Sequence, residues 1–379
     1  MERIIVAIDS FKGCLSSAEI ARAVEAGIHS ASPSTEVIKV PIADGGEGTV
    51  EALVEATQGR YITIEVGNPL MQPIKATYGI SGDEKTAIIE MSAASGLSLI
   101  PWKESNVMST TTYGTGQMIQ DAVRKGCRNI ILGVGGSATN DAGTGLLQAL
   151  GFRFLDANNN HLAPTGRQLV HIRKIDDSQK LKELEKCKFH ILTDVCNPFC
   201  GKEGAAHIFG PQKGATPADI QELDKGLYHF ATLIAETTGK QIKDIAGTGA
   251  GGGLAGGCLA LLNAKIEPGI EVIKEFLHFD ETIRNASLIF TGEGKIDAQT
   301  LQGKVITGIL KSANQQHIPV IALTGNSSEA DLPSLYKQGL TALFSIHSSP
   351  VSLKEALQPT YARRQLQHTA EQIIKTIKK

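Results

Sequence analysis

Arg3-Ile4-Ile5-Val6-Ala7-Ile8-Asp9 is an unbroken, mostly apolar run, rich in β-branched residues, that closes on Ser10-Phe11-Lys12. A strand buried on both faces, as in a parallel sheet, reads this way because neither face needs a polar residue. Downstream, Ser16, Ser17 and Glu19 precede Ile20, Ala23, Val24, Gly27 and Ile28, a helical spacing behind a capping signal. Residues 36–42 predict a second strand and residues 48–57 a second helix. Strand, helix, strand, helix in this order predicts a doubly wound sheet.

The pattern then changes. Residues 61–66, 74–80 and 86–91 read as short strands separated by Gly67-Asn68-Pro69 and Ser81-Gly82-Asp83, which are hairpin turns rather than crossovers. A helix over 114–125, strands over 129–134 and 189–193, and helices over 216–237 and 254–262 follow. Regular alternation returns with strands over 287–291, 319–323 and 341–344 and helices over 301–313 and 359–378. The simplest arrangement is an α/β protein with a Rossmann-like parallel-sheet domain formed by both termini, residues 1–60 and 283–379. A second, mixed-sheet α/β domain, residues 61–282, is inserted into it, with an active site expected in the cleft between them.

Composition narrows the function. A length of 379 residues suits two domains, and 41% hydrophobic against 20% charged residues supplies a packed core. A net charge of −2 gives no bulk attraction to nucleic acid or to an anionic membrane. No apolar run approaches the roughly 18 residues of a membrane span, and the first run is too short for a signal segment. The six cysteines show no paired framework and no zinc spacing, so a reducing, cytoplasmic setting is expected. The 40 glycines are clustered, as close approach of backbone to a ligand requires.

Six segments carry chemistry. Asp44-Gly45-Gly46-Glu47-Gly48-Thr49 ends the second strand, where carboxylates and bare amides suit Mg²⁺ or a polyol; the plain alternative is a glycine turn that caps the next helix. Gly135-Gly136-Ser137-Ala138-Thr139-Asn140 lies between a strand and a helix, an anion site by backbone geometry, or else a wide turn of small residues. Asp194 and Asn197 end another apolar strand, where Asp194 suits a general base or a Mg²⁺ ligand and Asn197 suits a substrate contact; an Asx-turn before Pro198 is the alternative. Gly249, Gly251 and Gly252 belong to the densest glycine run, a phosphate cradle or a helix packed against another backbone. Lys295, Asp297 and Lys304 follow a late strand in a segment that is no Walker A loop, and Lys12 with Ser10 ends the first strand. Lys12 and Lys295 suit a phosphate or a carboxylate, and Asp297 is a second base candidate.

Together these segments resemble the type I glycerate kinase family. The resemblance runs through Asp9–Gly13, Ala43–Thr49, Gly135–Asp141, Asp194–Pro198, Phe209–Gly214, the 247–257 glycines and Gly292–Lys304. It implies transfer of the ATP γ-phosphoryl group to D-glycerate with Mg²⁺, forming 2-phosphoglycerate and ADP. On that reading Lys12, Lys295, Asp194 and Asp297 are catalytic, with Asp194 the first choice of base. ATP phosphates lie against Gly135–Asn140 and Gly249–Gly252, Mg²⁺ is held by Asp44 or Asp194, and Ser10, Asp44, Gly45, Gly46 and Asn197 face the substrate. Cys14 and Ala142 depart from the expected Ser and Gly, both by small changes. The alternatives are a kinase of another small hydroxy acid, a 3-phosphoglycerate-forming enzyme, and a non-catalytic small-anion binding protein. No nucleic-acid or membrane partner is expected, and a homodimer is left open.

Overall fold

The computed structural model describes residues 3–101, 106–296, 300, 304–328, 330 and 332–378. In chain order its strands are β1 (Arg3–Ile8), β2 (Glu36–Lys39), β3 (Arg60–Gly67), β4 (Pro73–Ile80), β5 (Thr86–Glu90), β6 (Asn129–Gly133), β7 (Arg153–Leu155), β8 (Lys174–Asp176), β9 (Lys188–Leu192), β10 (Lys265–Glu267), β11 (Leu288–Ile296), β12 (Val320–Ser327) and β13 (Ala342–Ser345). The chain divides into two compact units. One holds Met1–Asp44, Glu51–Thr57 and Pro268–Lys379, the other Gly45–Val50 and Gln58–Glu267.

The first unit is built on a parallel sheet of order β13-β12-β11-β1-β2. The opening run behaves as its composition demands: Ile4 through Ile8 are buried on both faces. Ile4, Val6 and Ile8 pack with Ile20, Val24 and Ile28 of the helix Ser17–Ala31 and with Leu366, Ile373 and Ile374 of the helix Pro359–Ile377. The capping box closes as read, with Ser16 Oγ accepting from Glu19 N at 3.4 Å and the Glu19 carboxylate accepting from Ser16 N at 3.1 Å. β2 stops at Lys39, short of the expected residue 42. Val40 N makes the last bond to Val6 O, and Pro41 has no N–H with which to continue. β11 runs on to Ile296, past the expected end at 291, because Lys295 and Ile296 still pair with Asn326 and Ser327 of β12.

The second unit carries a mixed sheet of order β10-β9-β6-β5-β4-β3. β5, β6, β9 and β10 are parallel, whereas β3, β4 and β5 form antiparallel hairpins at the two turns read from sequence. Asn68 Oδ1 accepts from Leu70 N and Gln72 N at 2.9 and 3.0 Å, and Asp83 Oδ1 accepts from Lys85 N at 3.0 Å. Polar side chains bonding nearby backbone are what make such residues turn formers. The hairpin β7–β8, the strand β10 and the helix Gly269–Phe276 are additions the sequence did not announce. Among the described residues no helix is long and apolar enough to cross a membrane.

Candidate active site

In the first unit, chemistry gathers where parallel strands end. Asp9 follows β1 and is 3% exposed, with its Oδ1 accepting from Ser10 N at 2.7 Å. Burial, and then the neighbouring Asp44 carboxylate, push Asp9 up to about 8, against the Ser10 amide and Lys12, so this carboxyl carries a proton near neutrality. Asp44 is also buried, and Lys12 Nζ stands 3.9 Å from its Oδ2. Glu293 on β11 is buried and accepts from the Thr300 hydroxyl. A cavity of about 440 Å³ opens beside these groups. Its lining includes the polar Lys12, Lys295, Lys304 and Asn326 and the apolar Phe11, Ile346, Leu353 and Leu357.

In the second unit, the segment after β6 leaves Gly135 and Gly136 exposed and then buries Ser137 through Asp141. Asp141 anchors it. Its Oδ2 accepts from Thr112 N and Thr112 Oγ1, both at 2.8 Å, and from Gly145 N at 3.2 Å, while Oδ1 accepts from Gly143 N at 3.1 Å. Beneath the loop lies Lys213, 2% exposed, whose Nζ donates to Ser137 Oγ at 2.8 Å and to Thr139 O at 2.7 Å. Burial lowers this ammonium to about 7, with Asp141 pulling the other way. Thr139 and Asn140 are fully buried. Thr139 Oγ1, Asn140 Oδ1 and Asn140 Nδ2 have no hydrogen-bond partner among the described residues. Leaving such a group unmet costs about 1–3 kcal/mol, so this set asks for a polar ligand or ordered water.

Glycine serves two purposes nearby. A methyl group on Gly252 would stand 2.0 Å from Thr139 O, and one on Gly249 2.3 Å from Pro198 O. These two glycines let their loop press against the backbone of the anion loop and of the Asp194–Pro198 turn, which accounts for glycine there without a ligand. Gly251 has φ +62° and packs near Met91 and Val134. Gly45 lies against Gly133, and the Gly46 Cα is the nearest atom to a methyl built on Gly135, at 3.8 Å. The backbone amides of Gly48, Thr49 and Val50 bond the Glu90 carboxylate, with Val50 N at 2.9 Å. The next helix is thus capped by Glu90 at the end of β5.

The predicted residues therefore fall into two sets. Ser10, Lys12, Asp44 and Lys295 belong to the first unit, where Ser10, Lys12 and Lys295 line the cavity. Gly135–Asn140, Asp194, Asn197, Gly249, Gly251 and Gly252 belong to the second, as do Gly45 and Gly46. Asn197 makes no Asx-turn contact among its described bonds; its Nδ2 donates to Glu203 O at 2.8 Å, tying down the loop that carries Asp194. Asp297 lies outside the described residues. Lys213, Asp9, Glu293 and Glu90 were not assigned roles from sequence. Lys213 did carry a signal, a lysine enclosed by Pro211, Gly210 and Gly214 in a segment with no amphipathic pattern.

Parallel strands that end in polar and charged loops, in both units, place the chain in the α/β class. Comparison with known proteins narrows that class. The profile of the Glycerate kinase family matches residues 4–378, and the chain belongs to that family. A glycerate kinase of Haemophilus influenzae is 46% identical over 344 residues, 91% of each chain. A glycerate 2-kinase of Escherichia coli is 43% identical over 359 residues, 95% of this chain and 94% of its own. A crystal structure from Salmonella typhimurium LT2, described provisionally as glycerate kinase 2, superposes with a TM-score of 0.91 at 43% identity. That match covers 100% of this chain and 98% of the other. Family membership makes this an ATP-dependent kinase that phosphorylates an alcohol group.

Proposed function

We propose that the protein transfers the γ-phosphoryl group of ATP to a hydroxyl of D-glycerate, giving 2-phosphoglycerate and ADP. The observation that carries the reading is the Gly135–Asn140 loop: buried Thr139 and Asn140 polar atoms without partners among the described residues, beside a buried lysine, in a chain of this family. Such a set of polar atoms suits an oxyanion flanked by hydroxyls, and glycerate is a carboxylate beside two hydroxyls.

The reaction forms a bond from the substrate hydroxyl oxygen to the γ-phosphorus and breaks the bond to the β–γ bridging oxygen. The hydroxyl proton goes to a carboxylate and ADP leaves. Asp194 is assigned as that base, with Asp297 as the second candidate. Lys12 and Lys295 offset the charge that builds on the transferred group, and positioning supplies most of the remaining acceleration. Among the described residues no three His, Cys, Asp or Glu side chains converge on a metal position. Mg²⁺ in nucleotide sites needs only one or two carboxylates, the rest being water and phosphate, and the buried Asp44 carboxylate fits that pattern. Asp44 or Asp194 would hold it. When bound, Mg²⁺ neutralises charge on the phosphate oxygens.

The reading carries with it a cytoplasmic enzyme acting on free small molecules, and size-exclusion chromatography decides between a monomer and a homodimer. The substrate is tested by ADP release with a panel of small hydroxy acids. D-glycerate is expected to give the highest kcat/KM; another acid exceeding it by about tenfold would reassign the substrate.

A further inference from the structure

We infer that the strand-end cavity of the first unit is the nucleoside site, with the base of ATP against Phe11, Ile346, Leu353 and Leu357 and its phosphates toward Lys12, Lys295 and Lys304. This deepens the kinase reading and rests on it for the identity of the ligand. From β1 the chain steps to β2 on one side of the sheet, and β11, β12 and β13 extend on the other. β1 and β11 therefore flank a switch point, and in open parallel sheets ligands settle outside the carboxyl ends of strands at such a point. Asp9–Lys12 leave β1 there, Glu293–Lys295 close β11, and Asn326 and Ile346 come from the ends of β12 and β13.

Size and polarity choose the ligand. A cavity of about 440 Å³ is of the size that takes drug-sized molecules and is far larger than a three-carbon acid needs. Its rim carries Leu353 at 74% exposure and Leu357 at 40%. Glycerate has an oxygen on every carbon and could cover neither side chain. A purine has two apolar faces and could cover both while its edge hydrogen-bonds. His347 is placed for that edge, its ring stacked on Tyr361 at 5.7 Å with Nδ1 3.3 Å from the Tyr361 hydroxyl. Burial lowers the His347 pKa, so a neutral imidazole meets a neutral heterocycle. The three lysines in the lining match a phosphate chain. From sequence the ATP phosphates are set against both Gly135–Asn140 and Gly249–Gly252; Gly249 and Gly252 are required there by packing, and the phosphates here move from both loops to the lysines. The anion loop is then left for the small hydroxy acid.

The test pairs calorimetric titration of ADP with steady-state kinetics on two variants. One is the exposed double substitution Leu353→Ser with Leu357→Ser, and the other is Asn140→Ala in the anion loop. The double variant is expected to weaken ADP binding and raise KM for ATP by about tenfold or more, with KM for D-glycerate within about twofold of wild type. Asn140→Ala is expected to do the reverse. If the double variant melts early, Leu353→Ser alone serves, with a smaller shift of the same sign. ADP affinity unchanged in the leucine variants, or lost only in Asn140→Ala, would overturn the inference, as would no ADP binding to wild type. If wild type binds ADP but does not phosphorylate glycerate, the titration still decides. Binding lost in the leucine variants keeps the nucleoside site while the glycerate reading falls.

Discussion

The strand-end cavity of the first unit and the glycine loop of the second, the two regions proposed to bind anions, are built by opposite means. The cavity uses long cationic side chains, with Lys12 53% exposed, on an apolar rim open to solvent. The loop uses short hydroxyl and amide side chains, fully buried, with a lysine hidden underneath. Lysines on long flexible stems adapt to a flexible phosphate chain. A buried loop has its groups fixed before the ligand arrives and can reject a wrong shape, because an unmatched polar atom there is costly. One region is built for charge and the other for fit.

The sharpest way to break this contrast is at the base. Asp194→Asn is expected to lower kcat by about 10²–10⁴, with KM for ATP little changed. A kcat near wild type would pass the role to Asp297.

A second contrast sets two glycines against each other. Gly252 has φ +68° and a methyl there would meet Thr139 O at 2.0 Å; Gly13 has φ +72°, and a methyl there meets nothing within 4 Å among the described residues. Gly13→Ala should cost about 1–2 kcal/mol, the left-handed backbone term alone. Gly252→Ala should exceed that by at least about 2 kcal/mol, because two backbones must separate. Urea unfolding midpoints measure both, and equal losses would remove the packing role given to Gly252.

Lys213 sits at about 7 in the folded chain against an ordinary 10.5. Between those values the unfolded chain holds a proton that the folded chain lacks, so the group makes stability rise with pH across that window and leaves it flat below. Between pH 7 and pH 9, wild type should gain up to about 2.5 kcal/mol relative to Lys213→Met. A constant gap at the two pH values would show that Lys213 is charged throughout.

Much of this was legible in the sequence because it rests on local pattern. The two-faced apolar run of β1, the Ser16–Glu19 cap and the Asn68 and Asp83 turns each announce themselves within a few residues. The Gly135–Asn140 loop was legible as a loop, a run of small residues between a strand and a helix. What was hidden depends on pairing across the chain. The extension of β11 follows from its register with β12, three-residue strands such as β10 show no periodicity, and Lys213 reaches its loop from 74 residues away. The cavity was hidden for the same reason, for Leu353 and Leu357 read as unremarkable surface residues until the ends of β1, β11, β12 and β13 place them beside three lysines.

The most direct test of the whole account is product identity. Purified protein, ATP, Mg²⁺ and D-glycerate are mixed with enolase, and ADP and phosphoenolpyruvate are followed together. The account predicts that the two appear in equal amounts from the start, since 2-phosphoglycerate feeds enolase directly. ADP without phosphoenolpyruvate, or no glycerate-dependent ADP at all, would contradict it.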